Sequence, residues 1–389
     1  MHNYLIKDLM NVNRGSSPRP IMEYLSDSGY RWLKISDFNL YDRYVYETKE
    51  FIKDAGLKNT RHLPAGTLIL TNSATPGIPI FLGKDMCLHD GFLYFTNINE
   101  NIININFLYY WFLYNRNLII NQANGSVFQN LKKDIVENFE IKVPDINIQL
   151  KIIKILDNIN SKIELNNEIN NNLYEMSLNI FNDFLNNNDA ELIKLEDCVE
   201  KINTGADAIQ RAPIVDYDTG VRCIRIGDMT NSRDYHSWGF TKMNDKDYDN
   251  YKLIKNDIII TRTAVNGLTY MITDEERVVC NNGNIRLRVN NKYNPLYIYL
   301  NTKTKDFRYY IDRINSETSV RPNMKVEYFT SYKIKKYSLE EQDKICNVIK
   351  PLFNKINVNK KEIYNLEQLR DTLLPKLMNG EIDLDNIEI

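Results

Sequence analysis

The chain is poor in the residues that build chemical centres. Its 389 residues include five cysteines and four histidines. Cys87, Cys198, Cys223, Cys280 and Cys346 lie far apart, no two at C-x-x-C spacing, with no histidine cluster near them. That argues against a zinc site and implies no disulfide framework. Long apolar runs are missing as well, so no segment reaches the ~18 residues that a membrane span needs. Met1-His2-Asn3-Tyr4 opens no secretory signal, and the chain reads as cytoplasmic, with no membrane role. Charge of one sign is also lacking: 49 Lys and Arg stand against 51 Asp and Glu. Residues 1–145 hold 15 basic and 15 acidic groups, and residues 189–338 hold 24 and 21. Without a basic footprint, nucleic-acid binding cannot be argued from net charge; the charges would have to be arranged locally.

What is present occurs twice. Ser126-Val127-Phe128-Gln129-Asn130-Leu131-Lys132 matches Ser319-Val320-Arg321-Pro322-Asn323-Met324-Lys325, 193 residues further on. At the same offset Gln149 falls on Gln342, Ile152 on Ile345, Leu156 on Ile349, Ile163 on Ile356 and Leu173 on Leu366. Apolar positions in both stretches step by four and three, the pattern of a coiled-coil seam. Each stretch suffices for a helix of about 38 residues, roughly 57 Å long. Such a helix cannot bury its seam alone, and the economical partner is the other copy.

The segments between these helices repeat as well. Tyr30–Asp37 matches Val221–Asp228, and Leu63–Thr71 matches Leu253–Thr261; both pairs read as strands. The polar loop Asn72–Gly77 matches Arg262–Gly267, and Leu108-Tyr109 matches Leu296-Tyr297. Phe139–Pro144 and Tyr332–Lys335 read as closing strands. The expected class is α+β: two globular mixed α/β domains joined by two long helices that form an antiparallel coiled coil, an internal repeat with a pseudo-two-fold axis. The expected boundaries are 1–145, 146–188, 189–338 and 339–389. Antiparallel pairing would carry the globules to opposite ends. It would also bring the midpoints of the helices together, where Asn166 and its counterpart Asn359 sit. Either the two asparagines pair and fix the register, or each faces water at a seam defect.

This arrangement resembles the specificity subunit of Type I restriction–modification systems, over the whole chain. The most specific piece is Leu366-Glu367-Gln368-Leu369-Arg370-Asp371-Thr372-Leu373-Leu374-Pro375-Lys376-Leu377-Met378-Asn379-Gly380-Glu381-Ile382, similar to the ending typical of that family's second conserved region. Val143-Pro144 followed by Gln149 is similar to the family's lead into its first conserved helix; in the second copy Tyr337 replaces the proline. The resemblance implies that 1–145 and 189–338 are target-recognition domains, each reading half of a bipartite site in double-stranded DNA. It implies that the helices set the gap and dock two modification subunits, methyltransferases that bind S-adenosylmethionine. It further implies two restriction subunits, using ATP and Mg, where the system has them. This chain itself would be a non-catalytic subunit without cofactor or metal. The competing reading is a protein-binding helical scaffold, or an inactive subunit without DNA specificity.

No chemical constellation competes with that reading. Asn294-Pro295-Leu296-Tyr297 approaches the N-P-P-Y motif of adenine methyltransferases, yet no glycine-rich cofactor turn precedes it, and a helix start with Pro near N1 explains it better. Asp134 with Glu140-Ile141-Lys142 suggests a nuclease set, but the second copy loses the second acid.

DNA-reading residues are sought in polar loops at equivalent places of both copies, because Arg and Lys suit guanine, Asn and Gln suit adenine, and phosphates accept from most polar groups. The first block is Arg14–Arg19, with Arg14 and Arg19, answered by Thr204–Arg211, with Arg211. The second is Asn72, Ser73 and Thr75, answered by Arg262, Thr263 and Asn266. The third is Gln129, Asn130, Lys132 and Lys133, answered by Arg321, Asn323 and Lys325, each before a short helix. Arg233, with Tyr235, His236 and Trp238, forms an extra polar–aromatic loop, and Arg43, with Tyr44 and Tyr46, holds the similar place in the first domain.

Overall fold

The computed structural model describes residues 1–38, 43–123, 130–273, 277–317 and 323–384. The repeated stretch is helical in both copies, Ile146–Asn187 and Leu339–Met378. Local chemistry sets the ends of the second helix. Ser338 Oγ accepts from the Glu341 backbone N–H, and the Glu341 carboxylate accepts from the Ser338 N–H at 2.9 Å, a reciprocal cap. Gly380, at φ +69°, supplies the left-handed residue that stops it.

By its contacts the chain divides into two units, 1–161 with 366–389, and 162–365, so each unit takes part of both helices. In the first unit, Ile152 and Leu156 share a core with Leu377 and Met378. The start of one helix therefore lies along the end of the other. In the second unit, Asn166 donates to Glu362 at 3.1 Å, Asn359 donates to Asn170 at 2.9 Å, and the Tyr174 ring packs on Phe353. Partner numbers fall as residue numbers rise, so the helices run antiparallel in each unit.

The expected pairing of Asn166 with Asn359 does not form. Both are buried, which also excludes the water-facing alternative. The contacts show that the helices meet about one turn away from the register that would align the two asparagines. Each therefore meets the residue one turn beyond its counterpart: Glu362 for Asn166, Asn170 for Asn359. The seam between Ile163 and Phe181 is accordingly polar, with Asn166, Asn170 and Ser177 all buried at seam positions.

Each globule is closed by its own ends. His2–Leu5 pairs antiparallel with Glu140–Val143, and Leu192–Lys194 pairs with Lys333–Lys335. Each closing strand leads directly into a long helix. Within the first globule one sheet has the order Asn11–Arg14, Phe92–Thr96, Leu68–Thr71, Pro79–Leu82, Tyr44–Val45. The second globule repeats it with Val199–Thr204, Asn284–Val289, Ile258–Thr261, Thr269–Met271. The central strands Leu68–Thr71 and Ile258–Thr261 are buried at every position, which is why they read as unbroken apolar runs. A second sheet in each globule contains a parallel pair, Tyr30–Leu33 with Met86–Leu88 and Arg222–Ile224 with Val278–Cys280. The strands at 30 and 222 are shorter than expected. Lys34 and Arg225 turn into a helical segment because Asp37 and Asp228 accept their backbone N–H groups, at 2.8 and 2.9 Å.

The duplicated glutamine joins helix to globule. Gln149 accepts from the Asn104 N–H at 2.8 Å and donates to the Ile102 and Pro144 carbonyls. Gln342 accepts from the Asn294 N–H at 2.9 Å and donates to the Tyr337 carbonyl. Asn104 and Asn294 are the equivalent N-caps of Ile105–Tyr114 and Pro295–Asn301. The match of Leu108-Tyr109 to Leu296-Tyr297 therefore shifts by two residues: Asn294 answers Asn104, and Leu296-Tyr297 answers Asn106-Phe107. The Asn294 side chain accepts from Leu296 N–H at 2.9 Å with Pro295 at the first helical position, so the methyltransferase-like string is a helix cap.

Candidate nucleic-acid interface

Two polar blocks far apart in the sequence meet at one turn in the first globule, and a third joins them through the second. That turn, His89-Asp90-Gly91, joins Met86–Leu88 to Phe92–Thr96. The first block reaches it through Gly15 N–H to Phe92 O at 2.9 Å, Arg14 Nε to Asp90 O at 2.8 Å, and Ser17 Oγ to Asp90 Oδ1 at 3.1 Å. Asn72 of the second block donates its N–H to Gly91 O at 2.9 Å. Leu131 of the third block donates its N–H to Asn72 O at 2.7 Å.

The second globule builds the same junction around Asn281-Asn282-Gly283. Gly205 N–H binds Asn284 O at 3.0 Å, Arg262 N–H binds Gly283 O at 2.9 Å, and Met324 N–H binds Arg262 O at 2.8 Å. Close packing explains the glycines. A Cβ on Gly15 would lie 2.1 Å from His89 O, and one on Gly205 would lie 2.2 Å from Cys280 O. The second loop has one backbone path in both copies. Ala74 and Ala264 take φ of 57° and 61°, and Thr71 and Thr261 each accept a backbone N–H on Oγ1, from Ile78 and Leu268, at 2.9 Å.

The sequence reading missed this central turn. The signal was present: His-Asp-Gly and Asn-Asn-Gly are both turn strings, at an offset of 192 rather than 193. His89 Nδ1 accepts from the Gly91 N–H at 2.9 Å. Burial holds its imidazole below the ordinary value, against the pull of Asp90. Burial thus disfavours the charged ring, and Asn281 takes its place in the second globule.

The expected DNA residues separate into three groups. Arg14, Arg19, Ser73, Thr75, Asn130, Lys132 and Lys133 lie on or beside the first junction, as Thr263, Asn323 and Lys325 do on the second. Lys132 and Lys325 are exposed N-caps of the short helices Lys133–Glu137 and Val326–Thr330. Arg14 and Arg19 flank Asp90 at 4.0 and 3.6 Å, and Arg211 is exposed and donates to Tyr251 Oη at 2.5 Å. Arg262 splices the second and third blocks, its Nε donating to Met324 O at 3.1 Å.

Other residues are engaged within the protein. Asn72 is buried and donates to Asp90 O, while Asn266 is buried and donates to Asn315. Arg43 is buried against Asp157 of the first long helix, at 2.6 Å. In the Arg233–Trp238 loop Trp238 is buried and His236 stacks on Tyr364 of the second long helix, while Arg233 stays exposed and pairs with Asp228 at 3.6 Å. Gln129 and Arg321 lie outside the described residues.

Among the described residues no group of His, Cys, Asp and Glu could hold a metal, and no helix is long and apolar enough to cross a membrane.

A junction of polar loops is built twice on a duplicated frame, with a long helix after each globule, and comparison with known proteins gives this repeat a family. Residues 1–175 and 187–368 each match the Type I restriction modification DNA specificity domain. The chain is similar to the Type I restriction enzyme MjaIX specificity subunit of Methanocaldococcus jannaschii, 24% identical over 98% of this chain and 93% of that protein. It is also similar to the MjaVIII specificity subunit of the same organism, 22% identical over 82% of this chain and 80% of that one. Among solved structures, the Type I restriction–modification S subunit from M. genitalium shares the fold with a TM-score of 0.58, at 16% identity over 97% of this chain and 95% of that one. The chain belongs to the Type I restriction modification DNA specificity family. Its role is that of a non-catalytic specificity subunit, the part that recognises DNA sequence.

Proposed function

We propose that residues 1–145 and 189–338 are two target-recognition domains, each reading one half of a split site in double-stranded DNA. The two loop junctions are the reading surfaces, centred on His89-Asp90-Gly91 and Asn281-Asn282-Gly283. Lys132, Lys325, Arg14 and Arg19 approach phosphates, while Asn130, Asn323, Arg262 and the turn residues present base-reading groups. The long helices set the gap and dock two methyltransferase subunits, which bring S-adenosylmethionine. Two restriction subunits, with ATP and Mg, join where the system has them.

The observation that supports this reading best is that two dispersed polar blocks bond at one turn and a third bonds to the second of them, in the same order, in both globules. Polar loops drawn together on a shared frame are free to differ in side chains while keeping their place. The test exchanges 204–211, 262–266 and 323–325 for the matching loops of a relative with another target, in the complex with its modification subunits. Methylation mapping should show one half of the recognised sequence changed and the other kept. An unchanged sequence from an intact complex would place recognition elsewhere.

A further inference from the structure

One ion pair ties each globule to the long helix that follows it, and the two pairs have opposite polarity. In the first globule Arg43 pairs with Asp157 at 2.6 Å; in the second Asp234 pairs with Lys360 at 2.7 Å. Arg43 and Asp234 are equivalent positions. Both follow the turn capped by Asp37 and Asp228, and the same offset of 191 relates Lys34 to Arg225, Asp37 to Asp228 and Arg43 to Asp234. One loop therefore contributes a cation in the first copy and an anion in the second.

The helix partners are not equivalent. The repeat sets Lys350 against Asp157 and Asn167 against Lys360. Asp157 lies 11 residues after the start of its helix at Ile146, and Lys360 lies 21 after Leu339. The second globule is thus tied ten residues further along its helix, roughly 15 Å.

Each tie is more than a surface pair. The Arg43 guanidinium is enclosed by the rings of Tyr109 and Tyr110, with Asn106 Oδ1 at 2.8 Å. Tyr110 Oη donates to the same Asp157 oxygen, and Asn160 donates to Tyr110 Oη at 2.8 Å. The second tie is half-exposed, but two residues from Asp234 the His236 ring stacks on Tyr364 at 4.2 Å and 18°. Had the first globule been tied at the level that the second uses, Arg43 would face Asn167, which offers the guanidinium no opposite charge. A largely buried cation left without its counter-ion is strongly destabilising.

We propose that Arg43–Asp157 and Asp234–Lys360 are positioning locks, which index each recognition globule to one level of its own helix and so set the spacing between the half-sites. The spacing clause rests on the recognition function proposed above. The indexing itself rests on geometry alone.

The second lock, half-exposed, tolerates substitution and carries the test. Asp234→Lys, Lys360→Asp and the double exchange are assembled with the modification subunits. Each is offered DNA with both half-sites at spacings from two base pairs short to two long. The single variants should lose about tenfold of their preference for the native spacing while keeping both half-site sequences. The double exchange should restore it. Backbone hydrogen exchange across 233–238 should rise at least tenfold in each single variant and return in the double. Unchanged exchange in the single variants, or no recovery in the double, would overturn the lock. Restored exchange with an unaltered spacing preference would overturn its role in spacing while leaving two-site recognition standing. Absence of any split site for the unaltered chain would instead overturn the recognition function.

Discussion

Asn359 donates its side-chain amide to Asn170 Oδ1 at 2.9 Å in the buried seam of the second unit. Asn359 Oδ1 there has no hydrogen-bond partner among the described residues. A buried, half-satisfied amide pair opposes stability but rewards one register, because any slip leaves both amides unpaired.

Replacing one member should therefore cost more than replacing both. Asn359→Leu alone leaves Asn170 facing a hydrocarbon and should destabilise the second unit by about 1–3 kcal/mol. Asn170→Leu with Asn359→Leu should be neutral or stabilising. Urea unfolding of the three variants reads this directly; equal losses from single and double changes would show that the pair has no register role.

Gln149 makes three hydrogen bonds between the first long helix and its globule, and Gln342 makes the corresponding two. Gln149→Ala orphans the Asn104 N–H and two carbonyls in a buried place, at about 1–3 kcal/mol for an unsatisfied group. Exchange of the Asn104 amide should accelerate at least tenfold in that variant, and the Asn294 amide should respond the same way to Gln342→Ala. Unchanged protection would mean that water replaces the glutamine without loss.

Lys132 and Lys325 are exposed at equivalent edges of the two junctions. As phosphate contacts, each releases about one counterion on binding. Lys132→Ala and Lys325→Ala should each lower the slope of log affinity against log salt by about one, with the methylated sequence unchanged. A change in sequence with no change in slope would make these lysines base readers.

All five cysteines are free and buried. Burial pushes Cys87 up to about 11, and Cys198, Cys223 and Cys346 up to about 12. Their thiolates are therefore nearly absent at pH 8, and an alkylating reagent needs the thiolate. Native protein at pH 8 should stay unlabelled by iodoacetamide and take up five labels in denaturant, counted by intact mass. Rapid labelling of the native chain would show that one of these sites opens.

Much of this was legible because it was written twice. The helices followed from the four-and-three spacing of Ile152, Leu156, Ile159 and Ile163, and the loop blocks from matched positions between matched strands. Three features were hidden for physical reasons. Arg43 beside Tyr44 reads as a wet surface pair, and only the fold reveals Asp157, 114 residues away, as its partner. The His89-Asp90-Gly91 turn shares just its glycine with Asn281-Asn282-Gly283, since backbone geometry rather than side chains is what the two have in common. The seam register could not be read because a two-fold repeat allows any symmetric offset. Which offset forms depends on where Asn166 and Asn359 find partners.

The most direct test of two readers on one frame is a methylation map. The chain would be expressed with its modification subunits in a host free of background methylation, and N6-methyladenine would be located by single-molecule sequencing. Recognition by two unlike globules predicts one asymmetric split sequence with a fixed gap, methylated in both halves. A stable complex that methylates nothing, or that marks a single unbroken sequence, would contradict it.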